Sequence, residues 1–429
     1  MKSSSDRQPS NPSVAPAELV LHKGLGRLQK DSQPRSVAEL GWNLLREDIS
    51  LPSAVLYQEK LLNNLNWMRQ FIAEYGVKLA PHGKTTMAPK LFDLQLQAGA
   101  WGITLATAQQ TFVAYQYGIR RILMANELVG KENMAIISRL IEDSALDFYC
   151  LVDSATQIEQ LGAFYSKRGQ CLQVLLELGV AGGRTGIRDE EQLQSALAAL
   201  ARFSNTIALT GVEIYEGILE DEEAIRAYLL HAVAITRRLA EESHFRRERI
   251  LLSGAGSAWY DVVAEVFSAA QFGETVEIIL RPGCYLTHDV GVYREAQARI
   301  QQRNPVARAI NHGLIPALQV WAYVQSVPES SKAIIGMGKR DAAFDAGLPH
   351  PALHFRPGDS TPKAVPAHWL MTKMMDQHSF LQIAPDDDIR VGDMVAFDIS
   401  HPCLTFDKWR SLPVLNAHYQ VVDIVQTFF

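Results

Sequence analysis

The residues of this chain that could do chemistry sit in short runs, each following an apolar segment. Pro81-His82-Gly83-Lys84-Thr85 comes directly after Val77-Lys78-Leu79-Ala80. A lysine at the C-terminal mouth of a strand lies where α/β barrels keep their reactive groups. Lysine also forms Schiff bases with carbonyl compounds once desolvation or a cationic neighbour lowers its pKa. A solvated surface charge is the plain alternative for one lysine on a loop. A phosphate-loop reading of Gly83-Lys84-Thr85 fails, because that motif needs a glycine five positions before Gly83, where the chain has Lys78.

Further along, Gly254-Ala255-Gly256-Ser257-Ala258 follows an apolar run. Backbone N–H groups in such a loop, opening a helix near Ala258, suit a phosphate. Trp259 takes the third glycine position of a dinucleotide fingerprint, so that motif is incomplete; an ordinary tight turn explains the pattern equally well. Gly336-Met337-Gly338-Lys339 is a weaker version. Arg281-Pro282-Gly283-Cys284-Tyr285, Tyr215-Glu216-Gly217 and Arg184-Thr185-Gly186 each put a polar side chain beside a glycine just past a strand. Several such turns on one rim, together with a lysine, describe a pocket for a flat, phosphorylated cofactor. In His401-Pro402-Cys403 an extended conformation turns residues i and i+2 to the same side, so an imidazole and a thiolate can reach one ion. An isolated H-x-C also arises by chance. His378, in Met375-Asp376-Gln377-His378, is an additional candidate, against the ordinary reading of a histidine satisfied by hydrogen bonds.

The elements that must position these groups are legible as a regular alternation. A helix over about 58–75 carries Leu61, Leu62, Leu65, Met68 and Ile72 at helical spacing. Strands are expected at 77–80, 103–106, 121–125, 148–152, 173–178, 209–214, 250–252 and 277–280, with helices in between at about 108–117, 133–141, 155–165, 190–201 and 221–242. Eight β/α alternations point to a closed parallel (β/α)8 barrel with its helices outside. A doubly wound open sheet is the rival. His82, Lys84, Arg184, Tyr215, Gly254 to Ser257 and Arg281 to Gly283 all follow strands and would converge on one face. Beyond about residue 295, strand-like pieces at 318–327, 332–335, 394–398 and 419–425, separated by Pro and Gly, suggest an antiparallel β domain, with 361–369 a loop.

Composition sets the class. At 429 residues two domains are expected. A content of 47% hydrophobic and 21% charged residues is that of a globular protein, and a net charge of −6 leaves no basic surplus for nucleic acid. Residues 1–18, rich in Ser and Pro without an apolar core, suggest a disordered leader, not a secretion signal. No apolar run approaches the roughly 20 residues needed to span a membrane. The expected organisation is a leader at 1–18, a segment at 19–55 packing on the β domain, a barrel at 56–295 and the β domain at 296–429. Four scattered cysteines, Cys150, Cys171, Cys284 and Cys403, make no disulfide framework, and a cytoplasmic protein is expected. Cys150 and Cys171 have apolar sequence neighbours and are expected to fill the core.

Taken in order, these motifs resemble a known family. Pro81 to Thr85, Gln95-Leu96-Gln97-Ala98-Gly99-Ala100, Ile103-Thr104-Leu105-Ala106-Thr107, Gly211 to Gly217, Ser253 to Ser257, Arg281 to Tyr285 and Ser400 to Cys403 look like the D-serine dehydratase/D-threonine aldolase family. These are fold-type III pyridoxal-phosphate (PLP) enzymes of alanine racemase architecture, and the likeness covers about residues 45–429. It implies that Lys84 holds the cofactor as a Schiff base and takes the α-proton of a D-amino acid. It further implies that His82, Arg184 and Tyr215 contact the cofactor, that Gly254, Gly256, Ser257 and Tyr285 bind or flank its phosphate, and that Tyr215 and His378 stand among the catalytic groups. His401 and Cys403 would hold a divalent ion beside the substrate's β-hydroxyl, zinc first, with Mn or Mg as the other options. A homodimer acting on a small-molecule substrate, with no nucleic acid or membrane partner, agrees with the family.

In this resemblance Cys at the second ligand position goes with the dehydratases and Asp with the aldolases. The implied activity is therefore elimination from D-serine, D-threonine or a related D-3-hydroxy amino acid to a 2-oxo acid and ammonia, with D-threonine aldolase cleavage to glycine and an aldehyde as the alternative. A racemase would need a second base on the opposite face, and none is identifiable. A non-catalytic PLP carrier is the remaining class. The stretches Gly336 to Asp341 and Met375 to His378 match the family only loosely, which leaves the preferred D-amino acid open.

Overall fold

A computed structural model describes residues 22–26 and 36–429. The expected leader at 1–18 and part of the segment at 19–55 lie outside the described residues. The strands of the first half are β1 (Ser53–Tyr57), β2 (Lys78–Leu79), β3 (Ile103–Leu105), β4 (Arg121–Glu127), β5 (Asp147–Val152), β6 (Leu172–Leu178), β7 (Ile207–Ile214), β8 (Ile250–Gly254) and β9 (Val276–Leu280). Between β1 and β2 runs the expected helix, Gln58–Tyr75, which ends at Gly76 with φ 64° and with the glycine N–H bonded back to Ala73 and Ile72 carbonyls. A left-handed residue at this point turns the chain into β2, and glycine adopts it without a Cβ penalty.

Strands β2 to β9 form one parallel sheet in the order β2-β9-β8-β7-β6-β5-β4-β3. Its two ends meet. His82, just past β2, pairs with Thr104 of β3; Thr104 N donates to Pro81 O at 2.9 Å, Trp101 N donates to Leu79 O at 2.7 Å, and Thr104 Oγ1 donates to Ala80 O at 2.6 Å. The sheet is therefore a closed barrel, as the β/α alternation predicts. Alternate residues serve its two faces. Leu123, Ala125, Tyr149, Leu151, Leu175, Leu251 and Ile279 fill the interior, while Ile122, Met124, Phe148, Cys150, Val174 and Leu252 meet the surrounding helices. Both faces are buried, which is why these strands read as continuous apolar runs.

The second half builds β10 (Leu318–Glu329), β11 (Lys332–Ile335), β12 (His350–Phe355), β13 (Lys363–Ala364), β14 (Leu370–Met374), β15 (Ser379–Gln382), β16 (Met394–Asp398), β17 (Ser411–Leu415) and β18 (Val421–Gln426). They form a ten-stranded sheet together with β1, which lies antiparallel to β10 and parallel to β17. Strands β12, β14, β15 and β17 escape the sequence reading, and β13 falls in the segment expected as a loop. Most residues of β12, β13 and β14 are half-buried or exposed, so no clean apolar alternation marks them. Cys171 departs from expectation: it precedes β6 and is exposed, whereas Cys150 is buried in the core.

Gly211 of β7 lies against β8, where a Cβ would overlap the Leu251 carbonyl oxygen. Gly211→Ala is expected to cost at least about 1–3 kcal/mol, as overpacking against backbone does, and to lower the thermal midpoint measured by circular dichroism.

Candidate active site

Past β2 the chain makes a single 3-10 turn, Gly83–Thr85, which leaves Lys84 exposed and buries Thr85. The loop after β9 closes onto this turn. A Cβ on Gly283 would stand 2.6 Å from the His82 carbonyl oxygen and 2.8 Å from Thr85 Oγ1, so only glycine permits the approach. Its neighbour Cys284 brings Sγ to 4.0 Å from Thr85 Oγ1. Cys403 Sγ, from the other domain, lies 3.5 Å from the same oxygen, and the two sulfurs are 3.6 Å apart. Three segments remote in sequence thus meet beside Lys84.

His401 and Cys403 come together by a different route from the extended pair expected. Pro402 has φ −59° and ψ −44°, and Cys403 opens a short helix, Cys403–Phe406, whose Thr405 and Phe406 N–H groups both donate to Pro402 O at 2.9 Å. Proline's fixed φ suits a helix start. Hydrogen bonding from Cys284, His401 and Thr85 pulls the Cys403 thiol down to about 4. Contact with Cys403, and then with Asp345, holds His401 up to about 9. His401 Nδ1 lies 2.7 Å from Asp345 Oδ2, and the ring also hydrogen-bonds with Cys403. A carboxylate behind a histidine in this way orients the ring of a metal ligand. Among the described residues no group of three or more His, Cys, Asp and Glu side chains is arranged to hold an ion.

The Gly254 to Ser257 loop adjoins this junction. Ala255 N and Gly256 N donate to the two oxygens of buried Glu216 at 3.1 and 2.7 Å, so the loop's N–H groups do converge, on a carboxyl group of the chain itself. Burial pushes the Glu216 carboxyl above its ordinary range. Ser257 Oγ accepts from Cys284 N at 3.3 Å, tying this loop to the one after β9. The Tyr215 ring, 42% exposed, lies over the loop: a Cβ on Gly256 would be 3.0 Å from its Cε2. The following helix begins at Tyr260.

Beneath these loops the barrel mouth is polar. Buried Arg281 pairs with Glu213 and donates to Ile214 O at 2.9 Å. Burial pushes Glu213 up to about 8 although Arg281 opposes it. His82 is held neutral, first by burial and then by the charges of Lys84 and Arg281. Arg281 Nε, Glu213 Oε2 and His82 Nδ1 are buried without a partner in the protein, which marks a place for a polar ligand. Level with Glu213 on the neighbouring strand, Glu177 accepts from Thr185 Oγ1 at 2.7 Å, and burial together with the adjacent Glu177 pushes Glu127, at the end of β4, up to about 9.

Other candidates lie apart. Arg184 is exposed after β6, close enough for its charge to act on His82, Glu213 and Tyr215. Tyr285 is buried, and its hydroxyl accepts from Gln95 Nε2 at 3.1 Å. His378 sits in the turn between β14 and β15 with its ring against Phe380. Sequence reasoning missed Thr85, Cys284, Glu213, Glu216 and Asp345 as site groups. A carboxyl inside the apolar run Gly211 to Ile214 was a usable signal for Glu213; nothing local marks Asp345.

Comparison with known proteins agrees with this architecture. Residues 57–278 match the family model of the alanine racemase N-terminal domain, and residues 317–415 match that of the serine dehydratase domain. A D-threonine aldolase of Arthrobacter sp. is 25% identical over 375 residues, 86% of this chain and 89% of its own. A D-threo-3-hydroxyaspartate dehydratase of Delftia sp. (strain HT23) is 26% identical over 183 residues, 42% of this chain and 47% of its own. The crystal structure of a D-threonine aldolase from Filomicrobium marinum superposes with a TM-score of 0.72 at 21% identity, covering 90% of this chain and 97% of that one. The barrel and its antiparallel partner sheet define an alanine racemase-like PLP enzyme of fold type III. The chain belongs to the D-serine dehydratase/D-threonine aldolase family of these enzymes. It is accordingly a PLP-dependent lyase of the D-amino acid enzymes.

The raised Glu127 carboxyl has a consequence for stability. Between about pH 4.5, where it ionises in the unfolded chain, and about 9, where it ionises in the fold, the native state binds the extra proton. Its contribution is therefore present below pH 4.5 and is lost as pH rises towards 9. Glu127→Gln is expected to raise the thermal midpoint more at pH 8 than at pH 5; equal shifts at both would contradict the assignment.

Proposed function

We propose that the protein is a PLP- and divalent-metal-dependent ammonia-lyase that converts D-serine, D-threonine or a related D-3-hydroxy amino acid to a 2-oxo acid and ammonia. The observation that carries this reading is Thr85 Oγ1 touching the sulfurs of Cys284 and Cys403, which sets the imidazole–thiol pair of the second domain one residue from Lys84.

The residues present fit both groups. Arg281, Glu213 and His82, on or just past strand ends, each carry a buried polar atom without a partner. The Ala255 and Gly256 N–H groups are held by the Glu216 carboxyl, so a phosphate at the Gly254 to Ser257 loop would displace that carboxyl to reach them, with the Ser257 hydroxyl beside it. Lys84 would hold the cofactor; His82, Arg184 and Tyr215 would flank it; Gly254, Gly256, Ser257 and the loop at Tyr285 would surround its phosphate. His401 Nε2 and Cys403 Sγ would hold the ion, and imidazole with thiolate suits zinc before Mn or Mg. PLP supplies an electron sink for the α-carbon, and the ion a Lewis acid for the β-oxygen. Lys84 Nζ removes the α-proton, Asp345 keeps His401 aimed, and Tyr215 walls the face above the Gly256 loop. The same reading includes a cytoplasmic homodimer without nucleic acid or membrane partners; no helix among the described residues is long and apolar enough to cross a membrane.

The second reading, D-threonine aldolase, is favoured by one observation: the aldolase relative matches 86% of the chain and the dehydratase relative 42%. Cys403 supports elimination, because the resemblance associates a thiol at that position with dehydration and Asp with cleavage. Incubating the PLP- and zinc-loaded protein with D-threonine separates the two. The expected main products are 2-oxobutyrate and ammonia, and acetaldehyde with glycine as the main products would hand the protein to the aldolases. Lys84→Ala is expected to abolish turnover and the visible band of bound cofactor. Asp345→Ala is expected to weaken zinc binding roughly 10–100-fold, the usual effect of removing the carboxylate behind a ligating histidine, measured by competition with a chromophoric chelator.

A further inference from the structure

Two of the four cysteines meet across the junction of the two domains. Cys284 lies in the loop after β9 and Cys403 opens the helix Cys403–Phe406, 119 residues further on, with their sulfurs in contact at 3.6 Å. A disulfide needs about 2.05 Å, so closure requires roughly 1.5 Å of sulfur movement, within reach of a side-chain rotation on a loop and a short helix. Neither residue lies in a strand of the barrel or of the sheet. Thr85 Oγ1 touches both sulfurs and keeps them facing one another. Exposure differs in a useful way: Cys284 is 4% exposed, whereas Cys403 is partly open to solvent. The remaining cysteines have no part in this pair, Cys150 being sealed in the core and Cys171 standing at the surface before β6.

We propose that Cys284 is the resolving thiol for Cys403, so that a hydroperoxide converts the pair into a reversible disulfide linking the barrel to the β domain. In the first step the Cys403 sulfur attacks the O–O bond; an S–O bond forms, Cys403 becomes a sulfenic acid, and the peroxide leaves as an alcohol or, from hydrogen peroxide, as water. In the second, the Cys284 sulfur attacks the Cys403 sulfur, the S–O bond breaks, and water departs with the thiol proton. Two thiols lose two electrons in total and the peroxide gains them. A dithiol reductant reverses the reaction by exchange. The disulfide stands on the sulfur geometry alone. Its consequence, that oxidation withdraws Cys403 from an ion while reduction returns it, rests on the metal site proposed above.

The test uses the full-length folded protein, with and without bound zinc, treated with stoichiometric hydrogen peroxide, quenched, and only then denatured, alkylated and mapped by peptide mass. In zinc-free protein two of the four thiols should escape alkylation, in one linked peptide pair holding Cys284 and Cys403, and dithiothreitol should restore them. Given a second equivalent of hydrogen peroxide, which takes the unresolved sulfenic acid one step further, the Cys284→Ser protein should instead accumulate Cys403 sulfinic acid that dithiothreitol does not reverse. A wild-type protein that carries Cys403 sulfinic acid while Cys284 stays fully alkylatable overturns the proposal, as does a linked pair that forms only after denaturation. Zinc should slow the cross-link. If the cross-link forms equally fast with and without zinc, the metal assignment fails and the disulfide stands.

Discussion

The approach of two strand-end loops, 81–85 and 281–285, governs the rest of the site. The barrel closes where β2 meets both β9 and, through His82 and Thr104, β3. That seam brings Gly283 against the His82 carbonyl, and no larger residue fits the gap. The consequence is directional: Lys84 is turned outward while Thr85 is turned in towards the sulfurs.

The second constraint is the cost of burying polar groups at the mouth. Arg281, Glu213 and Glu216 are shut away from water, as is Nδ1 of half-buried His82, and an unpaired polar group in such surroundings is costly. The chain offsets part of this internally: Arg281 pairs with Glu213, and Glu216 takes two backbone N–H groups. Arg281, Glu213 and His82 each keep one buried polar atom without a partner. A barrel filled by Leu123, Tyr149, Leu175 and Leu251 beneath supplies the rigid, apolar floor. Polar strain at the rim and apolar packing below are the division expected of a scaffold that keeps chemistry at its strand ends.

Much of the architecture was legible because buried parallel strands and amphipathic helices leave strong periodic marks. All eight barrel strands lie where the alternation predicts, as do the helices Gln58–Tyr75, Ala108–Gln116, Lys131–Leu140, Ala155–Ser166, Glu190–Arg202 and Glu222–Glu241. For Pro89–Gln97 and Tyr260–Ala269 the sequence reading supplies no bounds. The β domain was harder. His350–Phe355 is mostly half-buried and Leu370–Met374 mostly exposed; the first is identified as a strand by pairing with β16, some forty residues on, and the second by a hairpin with β15. Cys171 shows the limit of reading burial from neighbours, since Leu172 beside it is buried and the cysteine one position earlier is not. The H-x-C motif teaches a similar point: Pro402 sets a helical turn, so the side chains meet by a geometry that an i, i+2 rule for extended chain does not describe.

By itself the sequence determined the order of elements, the glycine-bearing turns after them and the presence of a lysine, an imidazole and a thiol in plausible positions. These are local properties, encoded in periodicity, turn chemistry and residue type. Only the tertiary structure decided which groups share a space. Cys284 and Cys403 are separated by 119 residues, Asp345 and His401 by 56, and Thr85 and Cys403 by 318. Such meetings depend on how the barrel closes and on which face the β domain covers. Both are set by the packing of the whole chain, so no local stretch of sequence carries them.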